Sequence, residues 1–294
     1  MTIGESRKEI VRHIHSIYDE VEGTNIAELL LEHITRLQRI ERVVKKDQPL
    51  AAEQVQLLNA AIERLQNHEP VQYITNEAWF AGMKLYVDRS VLIPRPETEE
   101  LVEWILKEFR MLRRSPFGQN VRCKILDVGT GSGCIAIALK KNLPAAEVWA
   151  CDVSDEALNI ARMNADALQA AIDFVPLDFL NKEQRKQLPQ VDVIVSNPPY
   201  VPQKDKTEMR KNVVDFEPSA ALFVPDNDPL IFYSAIADFG KGKLSSKGVI
   251  YVEIHEGLGA QIRKLFQEKG YGFIEIKKDL QGKDRMAKVM SYEL

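Results

Sequence analysis

From residue 121 onward, short unbroken apolar runs alternate with segments of helical period, and few architectures accept that alternation. Lys124–Val128, Glu147–Cys151, Asp173–Leu177, Val191–Ser196 and Val249–Ile254 read as strands. Cys134–Lys141, Asp155–Leu168 and Leu258–Lys269 read as helices, and Phe273–Lys277 with Ala287–Tyr292 reads as a closing pair of strands. The early strands are apolar at successive positions rather than at every second one, so both faces of their sheet must be covered. Repeated β–α units of this kind predict a doubly wound α/β domain.

The residues upstream read differently. Ser6 and Glu9 have the spacing of a capping box, and Ile10, Ile14, Ile17, Tyr18 and Val21 then recur on one helical face. Asn25 and Glu28 repeat the cap signal before Ile26, Leu29, Leu30, Ile34 and Leu37, and Val55, Leu58, Ile62 and Leu65 mark a third helix. Two short strands meet near Gly82, Ala78–Gly82 and Lys84–Val87. Pro94 and Pro96 bar a helix where they stand, and Glu99–Arg110 supplies one just after. The expected division is a helical bundle at 1–75, a β-hairpin linker at 76–92 and the α/β domain at 93–294. Ser115–Asn120 reads as a turn-rich joint and Pro202–Asn212 as a polar loop.

Bulk properties narrow the classes. A chain of 294 residues holds one large domain or two ordinary ones. Its net charge of -4 provides no basic field for phosphate-driven binding of nucleic acid. Cys123, Cys134 and Cys151 form no C-x-x-C pair and lie in or beside apolar runs, so buried reduced thiols are expected. His13 and His15 sit two apart in a helical pattern and point to different sides, so no metal site is expected. The N-terminal residues lack the apolar segment of a signal peptide, and no run approaches the ~18 apolar residues of a membrane span. The expected location is the cytoplasm, without membrane contact.

Three signals carry chemistry. Asp127, Val128, Gly129, Thr130, Gly131, Ser132 and Gly133 end one strand and open a helix, where glycines let a ligand approach the backbone. Asp152 ends the next strand, where a carboxylate can accept both hydroxyls of a ribose. Together they describe a site for an adenine nucleoside. Gly131–Ala136 also fits G-x-G-x-x-A, so a nicotinamide-dependent oxidoreductase stands as a rival. Against it, a negative charge at Asp127 suits a cationic amino-acid tail better than a pyrophosphate. No Gly-Lys-Ser/Thr follows, so this is no P-loop, and no G-x-S-x-G elbow is present.

The third signal is Asn197-Pro198-Pro199-Tyr200 at the end of Val191–Ser196. An amide or arylamine nitrogen is a poor nucleophile because its lone pair is delocalised. A site can hold that lone pair toward an incoming methyl group by placing an acceptor on each N–H. The Asn197 side-chain oxygen is one such acceptor, and the Pro198 carbonyl, on a turn with fixed φ, is the other. Tyr200 can pack its ring on a flat group. These residues suit a glutamine amide and the exocyclic amine of a DNA or RNA base alike. A binding module that kept the fold without the chemistry is the remaining rival, and an intact Asp127, Asp152 and Asn197 set argues against it.

These motifs, in this order, resemble the HemK/PrmC family, the peptide-chain release factor N(5)-glutamine methyltransferases. The resemblance covers nearly the whole chain. It rests on Pro70–Ile74, Val91–Glu99, Asp127–Gly133, Asn197–Tyr200, Phe216–Leu222 and Asp279–Arg285. It implies a class I (Rossmann-like) methyltransferase domain behind an N-terminal helical bundle, with S-adenosyl-L-methionine as cofactor and S-adenosyl-L-homocysteine as product. It implies that Asp127, Gly129, Thr130, Gly131, Ser132, Gly133, Asp152, Asp178, Phe179 and Asn197 contact the cofactor. Phe179 falls where the family often carries tryptophan. It also implies that Asn197 to Tyr200, with Arg95, Glu97 and Thr98 near the mouth, bind a glutamine in the Gly-Gly-Gln motif of class I release factors. The bundle would help grip that partner, with no direct contact to nucleic acid. One departure is Asp226–Leu230, which stands where a Gly-rich turn is common.

Overall fold

The structure is a computed structural model and describes residues 1–113 and 123–291. The joint expected at 115–120 lies outside the described residues. The chain forms two compact units, residues 1–77 with 210–216, and residues 78–209 with 217–294.

The first unit contains α1 (Ile3–Ile14), α2 (Glu20–Thr35), α3 (Arg39–Val44), α4 (Ala52–Gln66) and α5 (Val71–Thr75). Its core is the apolar stripe of three helices, with Ile10, Ile14, Leu30, Leu31, Leu58 and Leu65 almost wholly buried. The caps differ from the expected ones. Thr2 and Glu5 form the box on α1, with Glu5 N–H donating to Thr2 Oγ1 and Thr2 N–H to Glu5 Oε2. Ser6 lies inside α1 and donates its hydroxyl to the Thr2 carbonyl. Asp19 caps α2 through Glu22 N–H, so Asn25 is interior and Val21 exposed. The same spacing occurs twice at each start, and the upstream copy wins. On α1 that is because Ile3 already belongs to the buried stripe. The short helix α3 was not expected. Its Arg42 is buried against Glu28 at 2.7 Å and Glu32 at 3.4 Å.

The second unit opens with the hairpin β1 (Glu77–Phe80) and β2 (Met83–Tyr86), then α6 (Pro96–Arg113), β3 (Lys124–Val128) and α7 (Cys134–Asn142). The first residue of β1, Glu77, groups with the helical unit. β4 (Glu147–Asp152), α8 (Asp155–Ala167), β5 (Asp173–Pro176), β6 (Val191–Ser196) and β7 (Val201–Pro202) follow. Next come α9 (Lys211–Val214), which groups with the helical unit, α10 (Ser219–Leu222), β8 (Phe223–Val224) and α11 (Ile231–Lys243). The chain closes with β9 (Leu244–Glu253), α12 (Gly259–Glu268), β10 (Phe273–Lys278) and β11 (Asp284–Met290).

Seven strands form one sheet in the order β10-β11-β9-β6-β3-β4-β5. The strands from β9 to β5 run parallel, and β11 is antiparallel to both of its neighbours. Alternate residues feed opposite cores. Ile125, Val193 and Tyr251 pack on one face, while Leu126, Ile194 and Ile250 pack on the other. That two-sided burial is why these strands read as unbroken apolar runs.

Two longer helices of this unit also differ from the sequence reading. α6 begins at Pro96 itself, because proline at the first helical position loses no internal hydrogen bond. α11 was missed, because it is apolar around much of its circumference and shows no clean stripe. Tyr233, Ala235, Ile236, Ala237 and Phe239 are all buried in it. Among the described residues, no helix is long and apolar enough to cross a membrane.

Candidate active site

The chain order in the sheet reverses between β3 and β6. From β3 the chain moves outward to β4 and β5, then returns to β6 and β9 on the other side. Loops leaving the strand ends diverge at such a point, and a crevice opens between them. Here the crevice is a cleft of about 340 Å³, the size of a small-molecule site.

One wall is the loop after β3. Gly129, Gly131 and Gly133 all have positive φ, at 71°, 53° and 82°. Among the described residues, a Cβ at Gly129 or Gly131 would meet no atom within 4 Å beyond its chain neighbours, so these two leave room beside the backbone. Gly133 has a different reason. Its Cβ would stand 3.1 Å from Ile137 and 3.2 Å from Ala161, where α7 meets α8. Asp152, at the end of β4, tightens the loop: Oδ2 accepts Gly131 N–H at 2.9 Å and Oδ1 accepts Ser154 N–H at 3.0 Å. Burial holds its pKa above the usual carboxylate value despite those donors. Ser196, ending β6, donates its hydroxyl to the Val128 carbonyl at 2.7 Å and ties the second wall to the first.

Asp127 lies beneath this loop and is wholly buried. Oδ2 accepts the Thr130 hydroxyl at 2.7 Å and Ala136 N–H at 3.2 Å, while Oδ1 has no partner among the described residues. Burial pushes its pKa up to about 7.

The second wall is the turn after β6. Asn197, Pro198 and Pro199 line the cleft together with Gly129, Gly131, Asp152, Asp178 and Phe179. The Phe179 ring packs edge-on to Phe239 at 5.4 Å, with the Arg185 guanidinium 5.2 Å from its centre. Asp127, Thr130, Ser132 and Gly133 shape the loop from behind rather than line the cleft. Tyr200, Arg95, Glu97 and Thr98 also lie off its lining. The Thr98 hydroxyl is buried and accepts from Asn197 Nδ2 at 3.0 Å. Arg95 pairs with the buried Glu217 at 2.5 Å, and Glu217 also accepts Ile93 N–H, which ties Val91–Glu99 to Phe216–Leu222.

Two positions that brace the cleft's walls escaped the sequence reading. Glu253 ends β9, buried to 1% exposure. It accepts the Thr98 hydroxyl at 2.6 Å and the Tyr200 hydroxyl at 3.1 Å. Burial raises its pKa to about 7. An acidic residue closing an apolar strand is the same signal that singled out Asp152. Asn164 on α8 is the other. Its Nδ2 donates to the carbonyls of Ser132 and Tyr86, and its Oδ1 accepts Tyr86 N–H at 2.7 Å. Nothing in a polar residue on a helix announces such a bridge.

These observations fit a nucleoside with a cationic tail. The glycine loop leaves open space, a carboxylate with an unfilled acceptor lies under it, and an aromatic ring and Asp178 stand beyond Asp152.

Comparison with known proteins agrees. A family model described as the methyltransferase small domain matches residues 112–219, and one described as the PrmC N-terminal domain matches 15–75. The release factor glutamine methyltransferase of Flavobacterium psychrophilum is 43% identical over 98% of this chain and 99% of its own. The chain belongs to the release factor glutamine methyltransferase family. Its relative of the same description from Bacteroides thetaiotaomicron is 42% identical over 94% and 96% of the two chains, and that from Bacillus subtilis is 34% identical over 89% of each. Among solved structures, the human Mettl16 catalytic domain aligns with a TM-score of 0.54 at 15% identity, covering 82% of this chain and 83% of its own. The human methyltransferase 10 domain containing protein aligns at 0.51 and 17%, covering 72% and 90%. These two likenesses show the fold alone. The family makes this chain an S-adenosylmethionine-dependent methyltransferase, and the oxidoreductase reading of Gly131–Ala136 falls away.

Proposed function

We propose that this enzyme methylates the side-chain amide nitrogen of the glutamine in the Gly-Gly-Gln motif of class I peptide-chain release factors. The observation that carries the reading is the placement of Asn197-Pro198-Pro199 in the wall of the same cleft as the glycine loop and Asp152. S-adenosyl-L-methionine, when bound, supplies an electrophilic methyl group on a sulfonium centre and is left as S-adenosyl-L-homocysteine. Gly129 and Gly131 would admit it, Asp152 would hold its ribose, and Asp178 with Phe179 would flank its base. The negative charge of Asp127 under the loop favours a cationic tail.

Toward the protein substrate, the Asn197 side-chain oxygen and the Pro198 carbonyl accept the two amide N–H groups. That holds the nitrogen lone pair toward the methyl carbon. Pro199 keeps the turn rigid, and the Tyr200 ring bounds the amide plane. Much of the rate then comes from orientation, for which effective molarities of roughly 10⁵–10⁸ M are attainable. The nitrogen loses its proton after it has gained the methyl group, so the reading needs no separate general base. Arg95, Glu97 and Thr98 support the mouth. The bundle at 1–75 is assigned to gripping the release factor, 76–92 to the connecting hairpin, and 93–294 to catalysis. The reading requires neither nucleic acid nor membrane, and it places the enzyme in the cytoplasm with its substrate.

The test is methyl transfer from labelled S-adenosylmethionine to purified release factor, beside a Gly-Gly-Ala variant of that factor and free RNA and DNA. Label on the wild-type factor alone is the expected result. Label on nucleic acid, or equal label on the Gly-Gly-Ala variant, would overturn the reading.

A further inference from the structure

We propose that Glu253 is a positioning residue that determines, through Thr98, which atom of the Asn197 amide faces the substrate. The inference rests on the reading above, in which Asn197 must present an acceptor. An amide side chain is nearly symmetric in shape, so its cavity alone does not choose between its oxygen and its nitrogen. Something must break the tie.

Thr98 does so because a hydroxyl has a single proton. Its Oγ1 stands 2.6 Å from Glu253 Oε2 and 3.0 Å from Asn197 Nδ2. An ionised carboxylate can only accept, so Thr98 gives it the proton. Thr98 then shows Asn197 nothing but a lone pair, and only the NH₂ end of the amide satisfies a lone pair. The oxygen of Asn197 is therefore the atom left over. The other Glu253 oxygen accepts the Tyr200 hydroxyl at 3.1 Å. One carboxylate thus orients both ends of the Asn197–Tyr200 turn. Its own strand end is held by the Tyr233 hydroxyl, which donates to the Glu253 carbonyl at 3.0 Å.

Protonating Glu253 reverses the relay. A proton on Oε2 donates to Thr98, Thr98 turns its own proton toward Asn197, and the amide inverts so that NH₂ faces the substrate. The groups acting on Glu253 are Arg285 on β11, Glu97 on α6, Tyr200, Tyr233 on α11 and Cys134 on α7. Arg285 favours the charged form and Glu97 opposes it, while burial outweighs both. Turnover therefore falls as pH drops below about 7.

The experiment compares Glu253→Met, Thr98→Val, Thr98→Ser and Asn197→Ala with wild type in the labelled transfer assay at pH 6 to 8. Cofactor binding by calorimetry serves as the check of folding. Losing the hydrogen bonds that orient a half-buried amide lowers kcat about tenfold or more in Glu253→Met and Thr98→Val, with KM for the release factor within about threefold. Thr98→Ser, which keeps the hydroxyl, restores turnover, and Thr98→Val loses the acid limb of the wild-type pH profile. If Glu253→Met does not bind cofactor, the Val and Ser pair at Thr98 decides. Wild-type kcat in Glu253→Met, or equal loss in Thr98→Ser and Thr98→Val, overturns the relay while Asn197→Ala stays at least about tenfold impaired. Full turnover in Asn197→Ala would instead remove the function assigned to Asn197, and the relay with it.

Discussion

Replacing Asp127 by asparagine should make the cofactor-free enzyme more stable at pH 8 and leave it no more stable at pH 5. The carboxyl is wholly buried, and its pKa rises from 3.8 to about 7. A carboxyl raised in this way stabilises the fold fully below its unfolded value. It loses that contribution as pH climbs to the folded value, because the native state holds a proton that the unfolded state has released. Three pH units at ~1.4 kcal/mol each set an upper bound of about 4 kcal/mol on the cost of the charge at pH 8. Asparagine removes that cost but strands an amide. Oδ2 already accepts Thr130 and Ala136, so the NH₂ group must sit where Oδ1 has no partner. A stranded buried donor costs about 1–3 kcal/mol. The net gain at pH 8 is at most about 1–3 kcal/mol, or roughly 2–4 °C in Tm per kcal/mol for a unit of this size. Scanning calorimetry of both proteins from pH 5 to 8 measures it. Wild type should lose stability with rising pH more steeply than the variant, which retains the costs of the other carboxyls raised by burial, Glu253, Asp152 and Glu217. Parallel curves would show that burial does not hold the proton on Asp127. The same substitution should weaken cofactor binding, since it removes the charge beneath the glycine loop.

Other outcomes follow from the same geometry. Asn197→Ala should lower turnover at least about tenfold at saturating cofactor while keeping the fold, measured by single-turnover methyl transfer. Asp152→Ala should raise the cofactor dissociation constant more than it changes turnover at saturation, because it frees Gly131 N–H and Ser154 N–H and removes the carboxylate proposed to hold the ribose. Gly133→Ala should destabilise the fold by about 1–3 kcal/mol, read by urea denaturation. Its methyl group meets Ile137 and Ala161 at a φ of 82°. Cys134, whose thiol burial pushes up to about 12, should resist thiol reagents in the folded enzyme and react once it is unfolded.

The sheet was legible because its strands are covered on both faces, which prints unbroken apolar runs into the sequence. The cleft was legible because its walls are built from strand ends, where Gly129, Asp152 and Asn197 interrupt those runs abruptly. α11 was not, since a helix buried over much of its circumference has no amphipathic stripe to find. The helix starts were misplaced because Thr2 and Ser6 offer the same spacing to Glu5 and Glu9, and only the tertiary burial of Ile3 settles the choice. The separation of loop-shaping residues such as Ser132 and Gly133 from cleft-lining ones such as Gly131 depends on where the turn points. Thr98 read as a residue at the mouth, yet its hydroxyl is spent between Asn197 and Glu253. Glu253 lies 155 residues further along the chain, too far for any local pattern to join them.

The side chain of Asn164 offers Tyr86 the donor and acceptor that a neighbouring strand would offer, and gives its second proton to Ser132. At position 86 it reads only the peptide group. Heredity can therefore treat the two positions unequally. Position 86 is free to drift among residues that keep an extended backbone. Position 164 has few exchanges open to it, since aspartate would set a second acceptor against two carbonyls. In a population of variant sequences, the fixed letter should be the unremarked asparagine on a helix, and the variable one the aromatic residue that it holds.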